Sequence, residues 1–325
     1  MTTYTSGYPF HMCSPNAWFS ELCFKREYIQ KSIKKVFKNT DEGIEQFMTL
    51  MEDFNLSQGK TRIGVEATGA YHLLLAITLV EHDWDMYVIN PLESHKFITS
   101  SLRTVKTDKI DAGKIREMVI LGRGYLLTDT EETIALKALV TERSVLVETR
   151  TAMKQRKDVH EIKEDAIGFT LHDSFDPVIA ALDTAIADCE KHMKEYEKET
   201  QKLLRSIPGV GKVSAAVLVS FIGNIHRFDS PEKLVAYIGL DPRVYQSGTS
   251  VQGKGYISKR GNKYLRKTLF NAAFVAMRWN PTLKEYYDKK MSEGKHHFSA
   301  TCAIERKLVH IIYAVWKRDT PFEKR

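Results

Sequence analysis

A long charged segment most limits what this chain can fold into. From Glu131 to Leu204, apolar residues recur at helical spacing, and glutamate and lysine alternate between Lys191 and Lys202. This pattern predicts a solvated helical hairpin or coiled-coil arm, turning within 169–177, that serves as a dimerisation arm or a spacer. We therefore predict three parts, residues 1–130, 131–205 and 206–325.

The segment before the arm alternates strands with helices, which predicts an α/β domain. An apolar run at 61–65 ends at Glu66, and a second run at 86–89 is stopped by Asn90-Pro91. Helical spacing is found at 40–54, around 74–79 and at 109–121. Residues 1 to about 30 show no sustained period.

Composition adds bounds but no specific function. The 325 residues are 43% apolar, which allows a sizeable core, and carry a formal charge of +7, a mild indication of a polyanionic partner. None of the four cysteines forms a CxxC pair, so we expect reduced thiols in the cytoplasm, close to the nucleoid, and no structural zinc. We expect no signal peptide and no membrane span.

Three acids form the first candidate site. Glu66 ends an apolar strand, and Asp108 and Asp111 open a later helix three residues apart, so they share one face. Paired carboxylates are tolerated where a divalent cation screens them, and two Mg²⁺ ions can assist phosphodiester chemistry. The simpler alternative is a solvated Glu66, with Asp108 as an N-cap and Asp111 as a first-turn acid.

A glycine-rich turn at 207–212 forms the second candidate site. It reads Ile-Pro-Gly-Val-Gly-Lys between two helical stretches and resembles a helix-hairpin-helix. The backbone N–H groups at Gly209 and Gly211, together with Lys212, would hold a DNA phosphate without reading sequence. A plain tight turn between packed helices explains the motif equally well.

A basic segment at 243–267 is the sharpest feature. Seven of its 25 residues are Lys or Arg and none is acidic, which is the pattern of phosphate-backbone contact. Ser247 lies in its glycine-rich first half, which predicts an exposed loop hydroxyl in a basic field. Local sequence supplies no general base, so a structural serine remains the alternative. The cations predicted to contact nucleic acid are Arg243, Lys254, Lys259, Arg260, Lys263 and Arg266.

Taken in order, these motifs resemble the insertion-sequence one-ten (IS110) family of DEDD transposases. The resemblance runs from about residue 36 to the C-terminus, and its ordered set is far more specific than any single piece. The matching pieces are FKNT at 37–40, VEATG at 65–69, VINP at 88–91, KTD at 106–108 with Asp111, SIPGVG at 206–211, YIGL at 237–240, Ser247-Gly248 and ISK at 257–259.

The resemblance implies an RNase H-like, RuvC-type first domain, a helical arm and a mostly helical transposase domain. It implies that Glu66, Asp108 and Asp111 bind Mg²⁺, and that Ser247 is a nucleophile forming a transient phosphoserine bond to DNA. It also implies a homo-oligomer, a dimer or tetramer, whose active site is completed between subunits. A noncoding guide RNA that pairs with donor and target DNA is a further implied partner.

One part of the family pattern is missing. The family carries a fourth acid, an Asp, on the first strand, whereas this chain has no Asp before Asp41. Residues 1–35 do not resemble that strand, which suggests a replaced N-terminus. We therefore expect impaired metal-dependent catalysis, because carboxylate sites depend on few protein ligands.

Three functions remain open on the sequence. The leading hypothesis is a DNA transposase or site-specific recombinase whose catalysis is impaired by the absence of the first-strand Asp. A non-catalytic remnant that still binds DNA and RNA is the alternative, and a RuvC-like nuclease using only the carboxylates is the third.

Overall fold

The computed structural model describes residues 6–14, 17–26, 29–67, 72–99, 108–168, 174–243, 246–247, 251–252 and 256–323. For the described residues before Lys35, and at 92, 99, 108–111, 246–247 and 251–252, it describes the backbone alone. The chain divides into two compact units, Met1–Thr128 and Asp129–Arg325. The predicted further division near residue 205 remains a prediction.

A mixed six-stranded sheet forms the centre of the first unit. Strands β1 to β3 are antiparallel neighbours, β4 and β5 run parallel to β1, and β6 pairs antiparallel with β5. The order across the sheet is β3-β2-β1-β4-β5-β6, which confirms the predicted α/β domain. The strands are β1 (Ser6–Ser14), β2 (Ala17–Arg26), β3 (Ile29–Lys38), β4 (Thr61–Glu66), β5 (Asp85–Ile89) and β6 (Tyr125–Leu126).

Helices cover both faces of this sheet. The helices are α1 (Asp41–Asp53), α2 (Leu73–Glu81), α3 (Pro91–Thr99) and α4 (Asp108–Ile120). On one face, buried side chains of α1 and α2, among them Phe47 and Leu79, pack with Ile63 and Val65 of β4. On the other face, Ile115 and Met118 of α4 pack with Ile89 of β5. Successive side chains of β4 and β5 point to opposite faces of the sheet, so each strand contributes to both helix-covered faces.

The structure describes strands in the N-terminal segment, where the sequence shows no sustained period. Ser6–Ser14 forms β1, hydrogen-bonded to both β2 and β4, and the expectation of a replaced N-terminus remains a prediction. Pro9 lies within β1 and interrupts the local alternation of apolar and polar residues that identifies a strand. The sequence pattern therefore did not indicate β1. The predictions of α1, β4, β5 and α4 are confirmed to within one or two residues.

Two long helices open the second unit. The 37-residue α5 (Glu131–Ile167) contacts α6 (Phe175–Glu195), which runs back along it. Three ion pairs join them at heptad spacing on both helices: Arg143–Glu190 at 2.6 Å, Arg150–Asp183 at 2.5 Å and Lys157–Asp176 at 2.6 Å. Each exposed pair stabilises little alone, but a heptad series fixes the antiparallel register.

The rest of the second unit is a helical domain with one small hairpin. Its core joins Leu218, Leu265 and Leu308 from three helices. The elements are α7 (Glu199–Leu204), α8 (Lys212–Ile222), α9 (Pro231–Ile238), β7 (Gln246–Ser247), β8 (Val251–Gln252), α10 (Lys263–Trp279), α11 (Pro281–Ser292) and α12 (His297–Arg318). Among the residues that the structure describes, no helix is both long and apolar enough to cross a bilayer.

Candidate functional site

Glu66 lies at the carboxyl end of strand β4, in the interior of the first unit's sheet. It is the last residue of β4, it is half-buried, and it pairs in register with Ile89 of β5. The next residue, Ala67, donates its N–H to the Ile89 carbonyl at 3.1 Å, so the pairing continues past the strand end. The Glu66 carboxylate is therefore held at the carboxyl end of two parallel strands, where ligands of α/β sheets commonly bind.

Helix α4 brings the other two acids to the sheet. The helix begins at Asp108, includes Asp111 one turn later, and contacts β1, β2 and β4. The side chains of both aspartates lie outside the described residues, so the backbone alone is placed. The predicted helix start is confirmed, while the metal-binding roles of Asp108 and Asp111 remain predictions.

The same helix carries an arginine that the sequence reasoning missed. Arg116 is half-buried, and its Nε has no hydrogen-bond partner among the described residues. A guanidinium on the helix that begins with two acids can balance carboxylate charge or meet a phosphate. The available signal was weak, because Arg116 is one of several charged residues in α4.

The donor types in this unit fit a divalent cation. Glu66, Asp108 and Asp111 offer carboxylate oxygens, which hard cations such as Mg²⁺ prefer. Within the side chains that the structure describes, no group of three His, Cys, Asp or Glu is placed to hold a metal. The side chains of Asp108 and Asp111 are not among those described.

In the second unit, Ser247 lies in a short hairpin and not in the predicted loop. Ser247 of β7 pairs with Val251 of β8, and residues 248–250 between them lie outside the described residues. Backbone hydrogen bonds between residues 239–243 and 256–259 continue the hairpin as a paired stem. Arg243 donates its N–H to the Tyr256 carbonyl at 2.7 Å, Ser258 donates to Asp241 at 2.8 Å, and Lys259 donates to Gly239 at 3.0 Å.

Two glycines let the stem cross itself closely. Gly239 ends α9 with φ 81°, a left-handed conformation, and a Cβ added there would lie 2.7 Å from the Gly261 nitrogen. A Cβ on Gly261 would lie 2.0 Å from the Tyr237 carbonyl oxygen. Both positions therefore require glycine, which explains these two residues without any ligand contact.

Buried charges hold the base of the stem. Arg266 donates to the carbonyls of Ile238, at 3.2 Å, and Gly261, and Arg306 donates to the Leu240 carbonyl at 2.7 Å. Glu305, 5% exposed, lies within electrostatic reach of both arginines. Burial raises the pKa of Glu305 to about 7, although the two guanidinium groups oppose that rise. This cluster connects α10 and α12 to the hairpin.

The predicted nucleic-acid cations divide into two groups. Arg243, Lys259, Arg260 and Lys263 are exposed, as a phosphate-contacting surface requires. Arg266 is half-buried with its guanidinium on two carbonyls, which favours a structural role over the predicted DNA contact. Lys254 lies outside the described residues.

The glycine turn at 207–211 connects α7 and α8. Gly209 has φ 94°, and a Cβ there would lie 2.3 Å from the Ala272 carbonyl oxygen of α10, so its glycine is needed for packing. Gly211 and Lys212 are exposed at the start of α8, with open space around Gly211. The helix-hairpin-helix interpretation remains a prediction.

An α/β domain with Glu66 at a strand end and a helical domain with exposed cations together point to a DNA-processing class of protein. Family models agree with that class. A model described as "Transposase", of the DEDD IS110 type, matches residues 21–160, and a model described as "Transposase IS116/IS110/IS902 family" matches residues 201–288. The chain belongs to the IS110 family of transposases.

Full-length relatives are similar across most of the chain. The pilin gene-inverting protein of Moraxella lacunata is 28% identical over 303 residues, covering 89% of this chain and 90% of that protein. The transposase for insertion sequence element IS1111A of Coxiella burnetii is 28% identical, covering 73% and 74% respectively. Among solved structures, Thermus thermophilus RuvC aligns with 37% of the chain at a TM-score of 0.27 and 9% identity.

Proposed function

We propose that this chain catalyses DNA strand exchange for an insertion sequence, with Ser247 as the nucleophile. The position of Ser247 carries the proposal. It lies in the last described pair of a hairpin whose stem is fixed by backbone hydrogen bonds and flanked by exposed cations. A serine at this backbone position follows a hydrogen-bonded stem, near cations that would attract DNA phosphates.

The reaction has two balanced steps. The Ser247 hydroxyl oxygen attacks a DNA phosphorus, forming one P–O bond while the bond to one strand end breaks. That end leaves as a hydroxyl, taking up the proton that the serine releases to solvent. Attack by the hydroxyl of a second DNA end then forms the recombined strand and restores the serine.

The remaining residues have supporting roles in this proposal. Glu66, Asp108 and Asp111 would hold a divalent cation, which when bound stabilises negative charge on the attacked phosphate. Arg243, Lys259, Arg260 and Lys263 would contact the DNA backbone and orient the duplex. The protein would act as a homo-oligomer and would bind a noncoding guide RNA. The names of its relatives mention neither property.

A covalent-adduct assay tests the nucleophile. The purified chain would be incubated with labelled element DNA, the element-end RNA and Mg²⁺ or Mn²⁺, then resolved on a denaturing gel. We expect protein-linked DNA that Ser247→Ala abolishes and that Ser250→Ala, a serine three residues away, leaves in place. An adduct that survives Ser247→Ala would refute the assignment.

Two other functions give different results in the same assay. A RuvC-like nuclease would nick DNA with metal in both serine variants and form no adduct. A binding-only remnant, favoured by the absence of any Asp before Asp41, would retain DNA or RNA without nicking or linking it.

A further inference from the structure

An exposed group of aromatic rings lies where α10 meets the start of α12. Phe298 is 63% exposed and Phe274 is 39% exposed. The Phe298 ring is nearly parallel to two others, with centroid distances of 6.3 Å to Phe270 and 5.6 Å to His296. Phe274 meets His297 edge to face, at 6.1 Å between centroids. We call these five rings, Phe270, Phe274, His296, His297 and Phe298, the aromatic face.

Hydrogen bonds fix two rings of the aromatic face. His296 is the N-cap of α12, and its Nδ1 accepts the Phe298 N–H at 3.3 Å. His297 Nδ1 lies 2.6 Å from the Tyr287 hydroxyl oxygen of α11, within hydrogen-bonding distance. A ligand that stacks on these rings therefore loses little free energy to the ordering of side chains.

The helix that carries Phe274 is basic on the same side. Helix α10 contains four Lys or Arg residues and no acid. Three of them are exposed and recur with Phe274 at helical spacing, which places them on one side of α10: Lys263, Lys267 and Arg278. The Arg278 guanidinium lies 5.5 Å from the Phe274 ring centre. Lys267 pairs with Glu148 of α5 at 2.9 Å, but both side chains are about half exposed, so this pair opens at little cost.

This mixture of rings and cations fits a single-stranded nucleic acid. Lysine is depleted in the cores of protein interfaces, whereas unpaired bases stack on exposed aromatic side chains while cations follow the phosphates. Within a duplex the base faces are covered by neighbouring bases, so stacking requires an unpaired strand. Helix α10 begins at Lys263, shortly after the hairpin stem ends at Lys259. The basic side of α10 therefore continues the set of cations that is proposed to contact DNA.

We propose that the aromatic face binds unpaired bases of the DNA strand that is being exchanged, and that the exposed cations of α10 bind its phosphates. The inference rests on the proposed strand exchange and deepens it. Bases near a cleaved end must leave their old partners before they pair with a new strand. Stacking on Phe298 and Phe274 would offset the base stacking that they lose.

Oligonucleotide binding to the full chain, followed by fluorescence anisotropy, tests the proposal. The Ser247→Ala variant serves as the parent protein, so that the proposed cleavage does not interfere. The ligands are a labelled single-stranded DNA, the same strand with abasic sites in place of its bases, and the corresponding duplex. We expect Phe298→Leu and Phe274→Leu each to weaken single-strand binding about fivefold, the low end of the loss when one base–ring stack is removed. Binding of the abasic strand and of the duplex should not change.

Two further variants separate stacking from other effects. Trp279→Leu removes a ring of the same helix that is 70% exposed but is turned about 140° around the helix axis from Phe274, and it should not weaken binding. Arg278→Gln should lower the slope of log affinity against log salt by about 0.7 with both the normal and the abasic strand. The two phenylalanine variants should leave this slope unchanged. Circular dichroism would verify that each variant is folded.

The other outcomes overturn the proposal in distinct ways. Equal losses with the normal and the abasic strand would mean that the rings contact the backbone and not the bases. A larger loss with RNA of the same sequence than with DNA would make the bound strand RNA. Unchanged single-strand binding in both phenylalanine variants would overturn the proposal outright, and an altered mass in solution would then identify the aromatic face as a contact between copies of the chain.

Failure of the proposed function has a different signature. A parent chain that forms no Ser247-dependent adduct, but whose single-strand binding still depends on Phe298 and Phe274, would overturn the nucleophile and leave the binding surface in place. An adduct that forms normally while the phenylalanine variants bind single strands like the parent would do the reverse.

Discussion

The two candidate sites are built in different ways. In the first unit, regular secondary structure determines position, since Glu66 ends a strand and Asp108 begins a helix. In the second unit, specific tertiary contacts determine position, since two glycines and two inward-facing arginines hold the stem of the Ser247 hairpin. The second arrangement therefore tolerates little change in the residues that support it.

The largest expected effect is at the glycine crossing. Gly261→Ala introduces a Cβ at 2.0 Å from the Tyr237 carbonyl oxygen, and backbone cannot move aside cheaply. We expect the free energy of unfolding of the second unit to fall by at least about 3 kcal/mol. Chemical denaturation would measure it, with Gly211→Ala as the control, because no atom lies within 4 Å of a Cβ there. Equal, small effects at both glycines would show that the stem is loosely held.

The next effect depends on pH. The folded pKa of Glu305, about 7, lies above its ordinary value of 4.5, so the folded state binds the proton more tightly. Its contribution to stability is complete below pH 4.5 and is lost as the pH rises to 7 and above. Between pH 5 and 8, we expect this loss to be about 2.5 kcal/mol.

Glu305→Gln removes the titrating group while keeping its size. The stability of this variant relative to the parent should therefore rise by that amount across the same pH range. Denaturation at pH 5 and pH 8 gives the comparison. A constant difference between the two proteins would mean that Glu305 is ionised throughout.

The smallest expected effect distinguishes an arginine that supports the hairpin stem, Arg266, from one that is proposed to contact DNA, Arg260. Arg266→Gln should lower stability by about 2 kcal/mol, because it leaves the carbonyls of Ile238 and Gly261 without their donor. Arg260→Gln should leave stability within about 0.5 kcal/mol but reduce the salt dependence of DNA binding by about one counterion. Denaturation and DNA binding at several salt concentrations would measure both effects. A stability loss in Arg260→Gln together with a changed salt dependence in Arg266→Gln would show that Arg260 supports the fold and Arg266 contacts DNA.

The sequence predicted the parts of the fold whose pattern is local. Helix α1 and strand β4 were identified by apolar periodicity, and the basic segment by its charge. Strand β1 was missed because Pro9 breaks the local pattern, and pairing with β4 depends on residues more than fifty positions away. The inward position of Arg266 was missed for the same reason, since composition does not distinguish a guanidinium on a distant carbonyl from one facing solvent.

The ion pairs between α5 and α6 also limit how the length of this helical pair can change. Arg143, Arg150 and Lys157 are spaced by seven residues, as are their partners Glu190, Asp183 and Asp176. Inserting seven residues into each helix keeps every pair in phase, whereas inserting three or four rotates one row of charges away from the other. The reach of the pair can therefore grow or shrink only in steps of one heptad, about 10 Å each at 1.5 Å per residue.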